Sequence, residues 1–94
     1  DVGIGGATAA LVGQMLRKLG ERLQVFCVTH QPQVAAAAHN HFMVEKRSDN
    51  KETFTRITLL QSAEKVDEIA RMLGGLTITE QTRSHAKELL LQSN

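Results

Sequence analysis

The side chains best placed for chemistry are Thr29 and His30, which follow the apolar residues 25–28 and precede the only proline, Pro32. A continuous run of β-branched and aromatic residues is typical of a strand that is buried on both faces of a parallel sheet. In open α/β sheets, ligands bind just beyond the carboxyl ends of the strands. The sequence therefore predicts a buried parallel strand that delivers Thr29 and His30 to a ligand crevice.

His30 could donate a hydrogen bond to an anionic ligand or accept a proton from water, because both nitrogens of an imidazole can take part. A histidine that is satisfied by a neighbouring carbonyl is the alternative, and the residue pattern leaves both interpretations open. His39 and His41 could join His30 as metal ligands. However, histidines two apart on a polar turn, with no cysteine or carboxylate beside them, favour solvated side chains. We therefore predict no metal site.

The glycines at the start of the chain form a second candidate site. Gly3, Gly5 and Gly6 precede a helix, and a glycine-rich backbone can approach a phosphate closely. No lysine accompanies them, so a flexible leading loop is the simpler interpretation of these residues taken alone. The chain has no complete phosphate-binding loop, zinc-protease motif or hydrolase elbow.

Helical and strand patterns that would position these groups alternate along the chain. The predicted order is a helix from Ala7 ended by Gly20, the strand 23–29, a helix 33–38, a hairpin of strands near 42–46 and 52–60, and helices capped by Ser62 and Thr77. In the first helix, the large apolar side chains are expected to face the core. The predicted fold is α/β, with one buried parallel strand, an edge β-hairpin and flanking helices. Because the chain opens on a loop with no element before it, we expect a piece of a larger domain.

Composition limits the classes of function. Of the 94 residues, 41% are hydrophobic and 22% are charged, which is ordinary for a globular protein. A net charge of +1 gives no bulk electrostatic reason to bind nucleic acid or anionic membrane. No apolar run approaches the roughly 20 residues that a membrane span needs. The single cysteine, Cys27, lies in the apolar run and is expected to be a core thiol in a reducing compartment. We expect a cytoplasmic protein with no membrane partner.

Two short motifs carry a family resemblance. Asp1-Val2-Gly3-Ile4-Gly5-Gly6 with the helix after it, and the apolar run that ends in Thr29-His30-Gln31-Pro32, resemble the C-terminal part of the ATPase head of the bacterial RecN family. These are SMC-like, ABC-type ATPases of DNA double-strand break repair. Leu-Gly-Gly at 73–75 and Ala-Lys-Glu-Leu-Leu at 86–90 extend the resemblance over nearly the whole chain.

The resemblance implies that residues 1–94 are an incomplete portion of an ABC-type ATPase head. Residues 1–6 would be the D-loop at the interface of two heads, formed by Asp1, Gly3, Gly5 and Gly6. Residues 29–32 would be the H-loop, in which His30 contacts the γ-phosphate and helps to orient the attacking water, with Thr29 beside it in the nucleotide site. A donor at that place would stabilise charge as it develops during phosphoryl transfer.

The resemblance also implies the partners and cofactors. ATP and Mg²⁺ would bind the full-length parent, whereas the fragment alone would bind neither and would be inactive. Its partners would be the remainder of its own head, a second head in a homodimer, and DNA through the full-length protein, in a nucleoid-associated cytoplasmic setting. The alternative is a non-catalytic protein-interaction module in which His30 is structural.

Overall fold

The computed structural model describes residues 5–75 and 77–93. It contains four helices and one hairpin within these ranges: α1 (Gly6–Gly20), α2 (Pro32–Ala36), β1 (Phe42–Ser48), β2 (Thr53–Leu59), α3 (Ser62–Gly74) and α4 (Glu80–Ser93). The structure confirms three predictions: a mixture of helices and strands, a short helix that begins at Pro32, and a β-hairpin. Asp1 and Gly3 of the predicted D-loop lie outside the described residues.

The hairpin is a two-stranded antiparallel sheet. Its register pairs Phe42 with Leu59 at the base and Ser48 with Thr53 near the tip. In the turn, Oδ1 of Asp49 accepts hydrogen bonds from two backbone N–H groups at 3.1 and 3.3 Å, as in an Asx turn. The face that starts at Phe42 and Leu59 continues with Val44 and Ile57, and all four of these side chains are exposed. The hairpin therefore presents an apolar face to solvent.

The core lies between α2, α3 and α4. Its buried members are small, apart from one isoleucine: Ala35, Ala36, Ile69, Ala70 and Ala86. Larger side chains close the core at its edges: Val66, Met72, Leu73, Ile78, Leu89 and Leu90. Alanines on three helices let the backbones approach closely enough to enclose Ile69, which is completely buried. The apolar stripe of α3, which contains Val66, Ile69, Ala70 and Leu73, therefore faces the core.

The ends of α3 depend on local hydrogen bonds and one glycine. The predicted cap at Ser62 is wrong by one residue, because Gln61 is the N-cap and forms a reciprocal capping box with Glu64. The helix ends at Gly74. Gly75 follows it with φ of +76°, a conformation that favours glycine.

Helix α4 also begins later than predicted. Oγ1 of Thr79 accepts the N–H of Thr82 at 3.1 Å, and Oγ1 of Thr82 accepts the N–H of Thr79 at 2.9 Å. This pair, rather than the predicted cap at Thr77, satisfies free N–H groups of the first turn. Nε of Arg83 then donates to Oδ1 of Asp67 at 3.0 Å and ties α4 to α3.

The predicted buried strand over residues 23–29 is not present in the described structure. Residues 24–30 have no helix or strand assignment, and the exposed fractions of Phe26 and Val28 are 83% and 102%. Cys27 is exposed, so its prediction as a core thiol is wrong for this chain. The physical reason is that a central strand needs partners on both edges, whereas β1 and β2, the strands of the described residues, pair with each other.

Helix α1 has its predicted length, but its buried face is the one opposite to its large apolar side chains. Leu11 and Met15 are 62% and 64% exposed, whereas Ala9 is 1% exposed and Gly13 is buried. Gly20 is the last helical residue, and the C-cap is Glu21 in a right-handed conformation, so no left-handed glycine ends the helix. The small residues of α1 therefore make its tertiary contacts.

Candidate functional site

Helices α1 and α2 lie side by side and run in the same direction. A Cβ atom placed on Gly6 would lie 3.3 Å from Nε2 of Gln33, and one placed on Gly20 would lie 3.5 Å from Nδ1 of His39. A Cβ atom placed on Gly13, which lies between these two glycines, would be 3.2 Å from the Cα of Val34. The contacts therefore follow the same order along both segments, from Gly6 beside the Gln33 side chain to Gly20 beside His39.

The closest approach of the two helices is at Gly13. A Cβ atom there would lie 3.0 Å from both the carbonyl oxygen of Gln33 and the Cβ of Ala37. A methyl group would overlap with backbone at that distance, so only glycine fits without moving the helices apart. Gly6, Gly13 and Gly20 fall on one face of α1 at helical spacing, which explains why this face, rather than the leucine stripe, meets α2.

Arg17 occupies the same face and links the C-terminal ends of the two helices. Its Nη1 donates to the carbonyl oxygen of Ala37 at 2.8 Å. Ala37 is the C-cap of α2 and is 2% exposed. Carbonyl groups at a helix C-terminus have no partner within the helix and carry partial negative charge, so a guanidinium is well suited to this position.

Thr29 and His30 form the entrance to α2. Oγ1 of Thr29 accepts the backbone N–H of Gln31 at 3.0 Å, which fixes a turn just before Pro32 at the first helical position. Thr29 is half-buried, whereas His30 is exposed. The predicted polar pair is therefore delivered by an ordered turn in front of a helix, although no sheet carries it within the described residues.

Gln33 is a residue of this region that the sequence reasoning missed. Its side chain is half-buried and extends toward Gly6, and its Oε1 is buried without a hydrogen-bond partner among the described residues. Burial of an unpaired amide oxygen is unfavourable, so other contacts must hold the Gln33 side chain in this position. No pattern in the sequence separates Gln33 from the other residues of a short helix, and only the packing identifies it.

Of the predicted groups, the end of the glycine loop lies beside Gln33 of α2, the helix that follows the His30 turn. Gly5 is the N-cap of α1 and accepts the N–H of Ala9 at 2.9 Å, so the loop passes directly into the helix. The contact between Gly6 and Gln33 then places that junction beside the first turn of α2.

His39 and His41 lie away from His30 at the other end of α2. His41 is half-buried near Glu68 and Lys65 of α3. Burial lowers its pKa, Glu68 opposes that shift, and Lys65 reinforces it. Within residues 5–75 and 77–93, no group of three or more His, Cys, Asp or Glu side chains is arranged to hold a metal ion. None of the helices in these ranges is long and apolar enough to span a membrane.

Glu68 is the buried charged residue of the described core. Its Oε2 accepts a hydrogen bond from Nη2 of Arg71 at 2.9 Å, and its Oε1 accepts a second from Nε of the same guanidinium. This contact raises the pKa of Arg71, chiefly through the side-chain hydrogen bond to Glu68. The paired arrangement satisfies a carboxylate that would otherwise be costly to bury.

Comparison with known proteins identifies the family. No family profile matches the sequence. Among curated proteins, the chain is 52% identical to the DNA repair protein RecN of Vibrio cholerae over 97% of its length, and 52% identical to that of Haemophilus influenzae over 96%. It is 42% identical to RecN of Bacillus subtilis over 100% of its length. In each case the chain spans 16% of the relative's length. Because this identity extends along nearly its whole length, the chain belongs to the RecN family and corresponds to one segment of those proteins.

Proposed function

We propose that the chain is the C-terminal lobe of a RecN-like head that binds and hydrolyses ATP during recombinational repair of DNA double-strand breaks. In this role, residues 1–6 supply the D-loop of a head dimer and His30 senses the γ-phosphate, with Thr29 beside it. ATP and Mg²⁺ bind the full-length protein, and DNA contacts belong to the full-length protein as well.

The observation that carries this proposal is the packing of α1 against α2. Contacts between them follow the same order along both segments, which supports a position of Gly5 and Gly6 near the turn of Thr29 and His30, although Thr29 lies 23 positions after Gly6 in the sequence. His30 is exposed, so a ligand could reach its ring. The similarity to proteins named for DNA repair supports the biological setting.

We further propose that residues 25–28 form a central strand of the complete head. Three features support this: the apolar composition, the exposure of Phe26 and Val28, and the ordered turn at Thr29 that follows. A strand buried on both faces reads as a continuous apolar run, and such a run is costly to leave in water. The exposed stripe of α1, which includes Leu11 and Met15, would cover one face of that sheet.

The test of the proposed function is the substitution His30→Ala in the full-length protein. Loss of a hydrogen-bond donor to charge that develops in the transition state should lower the rate of ATP hydrolysis by a factor on the order of 10², with the protein still folded. Steady-state phosphate release measures the rate. His85→Ala, which changes an exposed histidine on α4, is the matched control and should leave the rate unchanged.

An unchanged rate in His30→Ala would remove this residue from the mechanism and favour the interaction-module alternative. Equal losses in His30→Ala and His85→Ala would also contradict the proposal, because the effect would not be specific to the turn before α2. The isolated chain should show no ATP turnover, and detectable turnover would show that the remainder of the head is not required.

A further inference from the structure

We propose that Gly13 and Arg17 are positioning residues that lock α1 to α2, so that Gly5, Gly6 and the turn of His30 keep a fixed relation. This inference rests on the proposed function, because it assigns these residues an effect on hydrolysis that acts through His30. Neither residue belongs to the predicted D-loop or H-loop, and neither lies at the end of the helix pair where the nucleotide would bind.

Within the described residues, the chain connection between the two helices does not fix their relation. Residues 24–30 have no helix or strand assignment, and much of this segment is exposed. Two elements joined by such a segment keep a defined relation only through direct contacts. The contacts between α1 and α2 therefore position His30 relative to Gly5 and Gly6, and in the complete head they would act together with the proposed central strand.

Gly13 contributes a contact that permits little movement. Gly13 is buried against the backbone of Gln33 and Val34. A Cβ atom added to it would lie 3.0 Å from the carbonyl oxygen of Gln33 and 3.2 Å from the Cα of Val34. Closely packed backbones cannot slide without overlap, whereas long side chains can change rotamer to accommodate a shift. Gly13 therefore fixes both the separation of the helices and their relative position along the axis.

Arg17 adds a directional bond at the far end of the pair. Its half-buried guanidinium reaches the carbonyl oxygen of Ala37 at 2.8 Å, one turn along α1 from Gly13. Because Ala37 is buried, loss of this bond would leave a carbonyl with poor access to water. The steric contact at Gly13 and the charged hydrogen bond from Arg17 together resist both rotation and sliding.

The experiment compares Arg17→Ala and Gly13→Ala in the full-length protein. We expect each to lower kcat for ATP hydrolysis about 10-fold while KM changes little, since misplacement of a group that acts in the transition state reduces rate more than binding. Arg17→Lys can still reach a carbonyl and should recover part of the rate. Lys18→Ala, which changes the adjacent exposed basic residue, is the matched control and should behave as the unaltered protein.

A double-mutant cycle separates positioning from a general structural effect. If Arg17 acts through His30, then Arg17→Ala should cause no further loss of rate once His30→Ala is present. Losses that multiply in the double variant would overturn the proposal, as would an unchanged kcat in Arg17→Ala. If Gly13→Ala fails to fold, the Arg17 variants and the cycle still decide the matter.

The two proposals fail in different ways. An unchanged rate in His30→Ala contradicts the proposed function itself. A large loss in His30→Ala together with a normal rate in Arg17→Ala leaves the function standing and contradicts only the positioning role.

Discussion

His41 lies half-buried at the base of the hairpin, where its backbone carbonyl accepts the N–H of Leu60 at 2.9 Å. The charges of Glu68 and Lys65 act on its ring from α3, with opposite signs. Burial is the largest influence and lowers the pKa of His41 below its ordinary value of 6.5. The neutral imidazole is therefore the form that the folded chain favours.

This shift predicts a pH dependence of stability. The unfolded chain takes up a proton at His41 more readily than the folded chain, so the stabilisation is complete above pH 6.5 and is lost as the pH falls through the lowered pKa. Urea unfolding of the chain above pH 6.5 and at lower pH should show that the free energy of unfolding falls with acidification. His41→Gln should reduce the slope of that free energy against pH. His85→Gln should keep the original slope. Equal slopes for the chain and His41→Gln would show that another group is responsible.

At the scale of elements, α3 and α1 show what an apolar stripe can predict. The stripe of α3 faces the core because its partners, α2 and α4, lie within the chain. The stripe of α1 is equally regular, yet Leu11 and Met15 are exposed and the small residues on the opposite face are packed. Helical spacing indicates which side chains share a face. It does not indicate whether the surface that covers that face belongs to the same chain.

The reversed face of α1 predicts a contrast between core and stripe substitutions. Leu11→Gln and Met15→Gln should each change the free energy of unfolding of the chain by less than about 0.5 kcal/mol, because both side chains are already in water. Ile69→Ala should cost roughly 2 to 5 kcal/mol, because it leaves a cavity at the completely buried centre. Chemical denaturation measures all three. A cost above about 1 kcal/mol at Leu11 or Met15 would show that this stripe is buried in solution.

At the scale of the whole molecule, three apolar surfaces remain uncovered in the described residues. They are the stripe of α1, the segment 25–28 and the hairpin face that contains Val44 and Ile57. The apolar composition of residues 25–28 could be read from the sequence, but the burial of a strand depends on neighbours that composition does not reveal. The chain spans 16% of the length of its RecN relatives, and the proposed central strand would take its neighbours from the remainder of the head.

Cys27 offers a direct measure of that environment. In the chain its thiol is exposed and should react readily with a small maleimide. In the full-length protein, the proposed central strand would bury it, so labelling of the peptide that contains Cys27, followed by mass spectrometry, should be much slower. Labelling of the full-length protein in denaturant provides the accessible reference. Equally rapid labelling of the native full-length protein would contradict the proposal that residues 25–28 lie inside a sheet.

The contacts between neighbouring elements also indicate how the chain should fold. Helix α1 packs on α2, β1 pairs with β2, and α3 packs on α4, so the most extensive contacts join neighbours in the sequence. Contacts of short sequence separation require little loop closure and form quickly. The hairpin ladder and the Asp49 turn likewise join neighbours in the sequence. We therefore expect folding of this segment to begin with these local pairings.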